Sequence, residues 1–191
     1  PFAQLAEKEN IEKLCQDLNL AEEQFVAVQQ WFEQILSTPI LSNDDFTLAQ
    51  INEKQCLKEL AFYLNITSHF DVAGFNRALA TWHHLPSEPL QFDDIQGMVR
   101  GTMDLVFCHQ DKYYLLDYKS NFLGETLKDY DQTALKKAML EHHYDWQYLL
   151  YVVALHRYLK TRLPHYDYNR DFGGVVYAFL RGMNGSPQSG I

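Results

Sequence analysis

Two apolar segments joined by a short polar link constrain this chain more than any other stretch. Residues 99–107 carry Val99, Met103, Leu105, Val106 and Phe107; residues 113–119 carry Tyr113, Tyr114, Leu115 and Leu116. Between them lies Cys108-His109-Gln110-Asp111-Lys112, so the pattern reads as two strands of a hairpin. If Gln110-Asp111 is a two-residue loop, His109 faces Lys112 and Asp104 faces Asp117. The two carboxylates then lie across the ladder with Cβ atoms ~5 Å apart. Lys119, two residues beyond Asp117, shares its face. A different loop length would shift the register. Like charges set opposite one another destabilise a sheet unless neutralised, and a hard divalent cation is the simplest neutraliser for carboxylate and carbonyl oxygen.

The flanking sequence supplies more elements. Residues 4–19 read as a helix through Leu5, Ile11, Leu14, Cys15 and Leu18, and residues 21–37 as a second helix stopped at Ser37-Thr38-Pro39. Ser42-Asn43-Asp44-Asp45 reads as a turn. From Leu57 to Ile66 the pattern alternates, with Leu60, Phe62, Leu64 and Ile66 on one face and Glu59, Ala61 and Tyr63 on the other. Residues 67–95, broken by Pro86 and Pro89, give no clear pattern. Helices are expected over 130–141 and over 145–160, the latter opened by Asp145 as N-cap. A polar loop at 164–171 leads to a last strand over 172–180. Two helices, strands, two helices and a strand predict an α/β fold with a mixed sheet.

At 191 residues the chain is long enough for one domain with a substantial core, without disulfide or metal staples. Cys15, Cys56 and Cys108 are too scattered for a disulfide framework or a cysteine zinc site and read as small buried hydrophobes in a reducing compartment. The longest uncharged apolar run, near Trp146–Leu155, is about half of a membrane span. No signal-peptide pattern opens the chain, so a cytoplasmic location without membrane contact is expected. The net charge of −9, from 16 basic and 25 acidic residues, argues against a free-standing, charge-driven nucleic-acid binder. The acidity concentrates in residues 1–60, with 11 acids and 4 bases, whereas His156 to Arg181 holds five Lys or Arg against two acids.

Single residues have ordinary readings that must be weighed. An aspartate at a strand end is more often a turn or solvent-facing residue, and Asp117-Tyr118-Lys119 alone is a weak signal. Acid, acid and lysine on one face of two paired strands is more specific. Gly97 and Gly101 fit turns or bulges, or room for a backbone to approach a phosphate. Gln147 and Tyr151, four apart on a helix, share a face that would ordinarily meet solvent or another element. Beside an acidic hairpin the pair could contact substrate. His83-His84 and His142-His143 lack metal-ligand spacing.

Gly101-Thr102-Met103-Asp104, Leu115-Leu116-Asp117-Tyr118-Lys119-Ser120-Asn121 and Gln147-Tyr148-Leu149-Leu150-Tyr151 resemble the PD-(D/E)xK nuclease superfamily, with its restriction-endonuclease-like core. Within it, Asp104-Leu105-Val106-Phe107, Tyr113 to Asn121, Ala154-Leu155-His156-Arg157-Tyr158-Leu159, Asp167-Tyr168 and Phe172 to Gly182 resemble the C-terminal nuclease domains of the RecB family. The resemblance covers residues 97–182 with specific motifs and residues 1–96 more loosely. Glu59 falls where the family has a strand acid. On this resemblance the chain is expected to be one nuclease domain, 1–191. It would have a helical part over 1–56 and a core over 57–182, and be cut from a longer helicase–nuclease chain.

What the resemblance implies is Mg2+-dependent hydrolysis of DNA phosphodiesters by the β subunit of exodeoxyribonuclease V, which partners RecC and RecD in double-strand-break repair. Asp104, Asp117 and the Tyr118 carbonyl would bind Mg2+. Lys119 would orient or deprotonate water and offset phosphate charge. Glu59 would serve as an outer or second-metal carboxylate, and Gln147 and Tyr151 would position DNA or Lys119. The family also carries a metal-ligating histidine upstream that no residue of this chain matches. A second expectation from the same family is a docking surface for RecA, for which the acidic N-terminal helices and aromatic residues are candidates.

Overall fold

The computed structural model of the chain describes residues 2–42, 44–66, 71–83 and 97–191, with side chains throughout these except at 78–83. Asn43, His84, Pro86 and Pro89 lie outside the described residues. Phe2–Ala6 form a 3-10 turn rather than the start of a helix, because the Glu7 amide donates back to the Gln4 carbonyl and Glu7 itself is extended. Helix α1 (Lys8–Asp17) follows and buries Ile11 and Cys15, four residues apart on one face. Helix α2 (Glu22–Ser37) ends where Thr38 turns extended and donates its hydroxyl to the Gln34 carbonyl at 2.7 Å, ahead of Pro39.

Where the sequence suggests only a turn, a small antiparallel hairpin forms from β1 (Pro39–Leu41) and β2 (Asp44–Thr47). Strands this short are invisible to an alternation test. The main sheet comes next, with β3 (Cys56–Ile66), β4 (Gly97–His109) and β5 (Lys112–Lys119); helix α3 (Val72–His83), unpredicted, lies between the first two. Helices α4 (Gln132–Glu141), α5 (Tyr144–Arg162) and the one-turn α6 (Tyr168–Asp171) precede β6 (Phe172–Phe179). Strand order is β3-β4-β5-β6, antiparallel through β5, with β6 parallel to β5. The protein is therefore α/β, with a mixed four-stranded sheet flanked by helices, the architecture expected of a restriction-endonuclease-like core.

The β4–β5 turn has the assumed length. Gln110 and Asp111 both have positive φ, 48° and 61°, and His109 pairs with Lys112. Two left-handed central residues match the right-handed twist of the flanking strands. One sheet face packs Leu105, Phe107, Leu116, Val176 and Ala178 against Ile35, Leu36, Ile40 and Phe46 from the N-terminal elements. The other packs Met103, Val106 and Leu115 beneath Tyr151, Ala154, Leu155 and Leu159 of α5. Each Val, Leu, Ile, Phe or Met side chain among these contributes about 1.5–3 kcal/mol when fully buried, so the strand segments around Asp104 and Asp117 are held from both sides.

Helix α4 is capped by Asp131, whose carboxylate accepts from the Thr133 and Ala134 amides. Asp145 does not cap α5 as expected. That position belongs to His143, in the left-handed region at φ 53°, which turns the chain sharply out of α4. Asp145 lies inside the first turn, fully buried. No helix among the described residues is long and apolar enough to cross a membrane.

Candidate active site

The site forms where the sheet opens. The β3–β4 ladder pairs Lys58 with Leu105 and Leu60 with Met103, skipping the rung that would join Glu59 to Asp104. The β4–β5 ladder ends at Leu105 with Leu116, one rung short of Asp104 with Asp117. The two aspartates thus occupy the first open rung rather than facing each other in a continuous ladder. Asp104 takes the place of a backbone acceptor: its Oδ2 accepts from the Tyr118 amide at 2.9 Å. The interruption also reverses the alternation of β4. Met103 packs under α5, yet Leu105 packs on the opposite sheet face. Opposite Asp104, Glu59 has φ 52°, the left-handed region seldom adopted by such a residue, and its side chain is exposed.

Asp117 and Lys119 point toward α5, as do the apolar residues two apart before them. Asp117 is only 3% exposed and Lys119 7%. Their Oδ2 and Nζ atoms are 2.5 Å apart. Lys119 also donates to Gln147 Oε1 at 2.7 Å; Gln147 Nε2 donates to the Tyr151 hydroxyl at 2.8 Å; that hydroxyl is 2.9 Å from Asp117 Oδ1. The result is a closed ring of four side chains, Asp117–Lys119–Gln147–Tyr151. The Tyr151 hydroxyl is also 2.9 Å from the Thr102 carbonyl, so its single proton serves one acceptor at a time. Gln147 and Tyr151 therefore hold the acid–lysine pair, a role the helical spacing of the two residues alone does not show.

Burial is the main force on the two acids of the ring, Asp117 and Tyr151. It pushes the Asp117 carboxyl above the ordinary aspartate range, against the opposing pull of Lys119 and the Tyr151 hydroxyl, and the nearby Asp104 charge pushes the same way as burial. Burial likewise pushes the Tyr151 phenol up, reinforced by Asp117 beside it. Two aromatic residues that the sequence did not single out complete the lysine's surroundings. Its Nζ lies 3.7 Å from the centroid of the Tyr144 ring and 5.2 Å from that of Tyr177. The Tyr144 hydroxyl donates to Asn121 Oδ1 and the Tyr177 hydroxyl to the Tyr144 carbonyl, each at 3.1 Å. Nothing in the periodicity marks Tyr144, which stands one residue before the expected helix start.

Gly101 has a packing explanation. It pairs with Phe62 across the ladder, and a Cβ there would fall 2.5 Å from the Phe62 ring. That ring in turn makes an edge contact with Tyr151, centroids 5.9 Å apart. The glycine thus admits the ring that supports Tyr151, not a phosphate.

The oxygen atoms around the fork suit a hard cation. Asp117 Oδ2 is buried and, apart from its ion contact with Lys119, receives no aligned hydrogen bond. Within a strand a residue's amide and carbonyl leave on the same side, so the Tyr118 carbonyl faces the fork, as its amide does. Asp104, Glu59, Lys58, Leu105, Tyr118 and Phe2 line one cavity of about 320 Å3. Among the described residues no cluster of three or more His, Cys, Asp or Glu side chains is placed to hold a metal ion. Asp117 does not line that cavity; it is paired with Lys119 and Tyr151 beneath α5. His142 stacks on Tyr144, and His143 lies against Trp146.

No family model matches the chain. Individual proteins do. The RecBCD enzyme subunit RecB of Haemophilus influenzae is 60% identical over 190 residues, covering 100% of this chain and 16% of that protein. The Escherichia coli subunit is 42% identical over 165 residues, covering 85% of the chain and 14% of the subunit. That of Mycobacterium tuberculosis H37Rv is 35% identical over 162 residues, covering 73% and 15%. The chain thus spans about a sixth of the length of these relatives. With this identity along its whole length, the chain belongs to the RecB family.

Proposed function

We propose that this chain is a Mg2+-dependent DNA nuclease module of a RecBCD-type helicase–nuclease. The closed ring of Asp117, Lys119, Gln147 and Tyr151 at the open β4–β5 fork, with Asp104 on the adjoining strand, carries the reading. It presents buried carboxylate and ammonium together, which suits a reaction that must bind a cation and offset phosphate charge.

Asp104, Asp117 and the Tyr118 carbonyl are the residues that would hold Mg2+. Bound there, the ion would polarise the scissile phosphate and acidify a coordinated water. The chain's own groups do the rest. Lys119 brings a positive charge against the phosphate and orients the attacking water. Gln147 fixes the lysine through its carbonyl oxygen, and Tyr151 fixes the Asp117 carboxylate. Glu59, beside Asp104 in the shared cavity, adds an outer carboxylate. DNA, RecC and RecD are the proposed partners, in the bacterial cytoplasm.

The test is single-strand and duplex DNA cleavage by the full-length protein with Mg2+, wild type against Asp117→Ala. Loss of cleavage with an unchanged thermal melt of the domain supports the reading; wild-type cleavage by the variant refutes it. A second reading, RecA docking, draws on apolar side chains left in solvent on the acidic helices, Leu18 after α1 and Val26 on α2. A pull-down that Asp117→Ala retains while cleavage is lost would separate the two roles.

A further inference from the structure

We propose that Phe122 and Arg181 form a nucleotide-binding subsite beside the fork, with the base of a single strand stacked on Phe122 and its phosphate on Arg181. Identifying the strand as DNA rests on the nuclease reading above.

Phe122 stands three residues beyond Lys119, in the segment leaving β5. That segment is pinned: the Tyr144 hydroxyl donates to Asn121 Oδ1, the Leu123 amide donates to the Tyr130 hydroxyl, and the Tyr130 hydroxyl reaches the Asn121 carbonyl at 3.4 Å. Its neighbours Leu123 and Tyr130 pack into a cluster with Phe179. Yet Phe122 remains 64% exposed. A fixed backbone that holds an aromatic ring in water forgoes burial at that position, and the exposed face is a ready stacking surface.

Arg181 reaches the same place from the end of β6. Its Nε donates to the Ser120 carbonyl at 3.0 Å, and its guanidinium carbon lies 5.8 Å from the Phe122 ring centroid. Among the described residues no carboxylate pairs with it, so its remaining N–H groups can bind an anion. The guanidinium lies over one face of the Phe122 ring and leaves the other to a base: every base offers a π face regardless of sequence, and the phosphate meets the fork of N–H donors. Ser120 and Asn121 join this subsite directly to Lys119. A base held on Phe122 therefore belongs to a nucleotide adjoining the phosphate at the proposed centre.

The test uses the full-length protein in EDTA with an oligothymidylate carrying 5-iododeoxyuridine. After irradiation, the cross-linked peptide is mapped by mass spectrometry. The expected adduct is at Phe122; it persists in Phe122→Trp, disappears in Phe122→Ala and weakens in Arg181→Gln. With Mg2+, Phe122→Ala raises KM for a single-stranded substrate about tenfold, the scale of one stacked base, with the loss falling on KM rather than kcat. An adduct mapping elsewhere, together with an unchanged KM, overturns the subsite even where cleavage is normal. An adduct at Phe122 in a protein that fails to cleave leaves the subsite standing and removes the nuclease reading instead.

Discussion

The ammonium of Lys119 sits 3.7 Å from the centre of the Tyr144 ring while keeping both of its polar partners, Asp117 and Gln147. A cation over an aromatic face gains about 0.5–2 kcal/mol, more as water is excluded, and here the lysine is nearly closed from solvent. Tyr144 thus acts as a positioning residue through the lysine. Tyr144→Leu should lower kcat about tenfold, equivalent to 1.4 kcal/mol, whereas Tyr144→Phe, which keeps the ring, should restore most of it. Proton NMR of the domain gives a check independent of activity. The Lys119 ε-methylene should show a ring-current shift in wild type and Tyr144→Phe and lose it in Tyr144→Leu. Equal rates and equal shifts in all three proteins would show that the ring has no hold on the lysine.

Asp117 gives a pH dependence whose sign follows from burial. Its carboxyl is held above the ordinary 3.8 chiefly by removal from water. The folded protein therefore binds this proton more tightly than the unfolded chain does. Its contribution to stability is fully present below the unfolded value and is lost as pH rises through the folded one. Without divalent cation, the melting temperature of wild type relative to Asp117→Asn should fall as pH rises from about 4 across that window, then level off. A difference that rises with pH would mean that Lys119 and Tyr151 outweigh burial, and a flat one that they cancel it.

The turn at Gln110-Asp111 was legible because two-residue loops have a narrow geometry, and its length fixed the partners of β4 and β5 through His109 and Lys112. Alternation likewise placed Glu59 on the exposed face of β3. What alternation could not supply is the break at Asp104. A strand whose Met103 and Leu105 pack on opposite sheet faces violates period two, and only the loss of a rung on each side permits it. Tyr144 and Tyr177 were equally out of reach, since both meet Lys119 through the packing of α5 and β6 rather than through spacing. The strands β1 and β2 and the helix α3 were missed for simpler reasons. The strands are too short to alternate, and Val72–His83 lies within residues 67–95, which give no clear pattern.

Gly101 supports the site through Phe62, so a side chain there should damage activity and stability together. In Gly101→Ala the new methyl would fall 2.5 Å from the Phe62 ring. Displacing that ring should cost about 1–3 kcal/mol, as overpacking does. Tyr151, against which the ring packs edge-on, should then lose its place beside Asp117. Phe62→Leu in the same protein should relieve the clash, so that the double variant is more stable than the sum of the single changes. Chemical denaturation of the four proteins measures this coupling; strict additivity would mean that the ring yields without consequence.

Charge argues that this chain does not gather DNA by itself. With a net charge of −9, long-range attraction to a polyanion is absent, and capture must come from a few local contacts or from tethering to the rest of a longer protein. Affinity for single-stranded DNA should therefore be weak and only shallowly dependent on salt. Each phosphate neutralised contributes a slope of about −0.7 in log K against log salt for a single strand. If Arg181 is one such contact, Arg181→Gln should make the slope shallower by about 0.7 while Phe122→Ala weakens binding at every salt concentration without changing it. Fluorescence anisotropy with a labelled oligothymidylate between low and physiological salt reads both. A steep slope in wild type, or one that Phe122→Ala changes as much as Arg181→Gln, would contradict the division of work between a stacking ring and a phosphate-binding guanidinium.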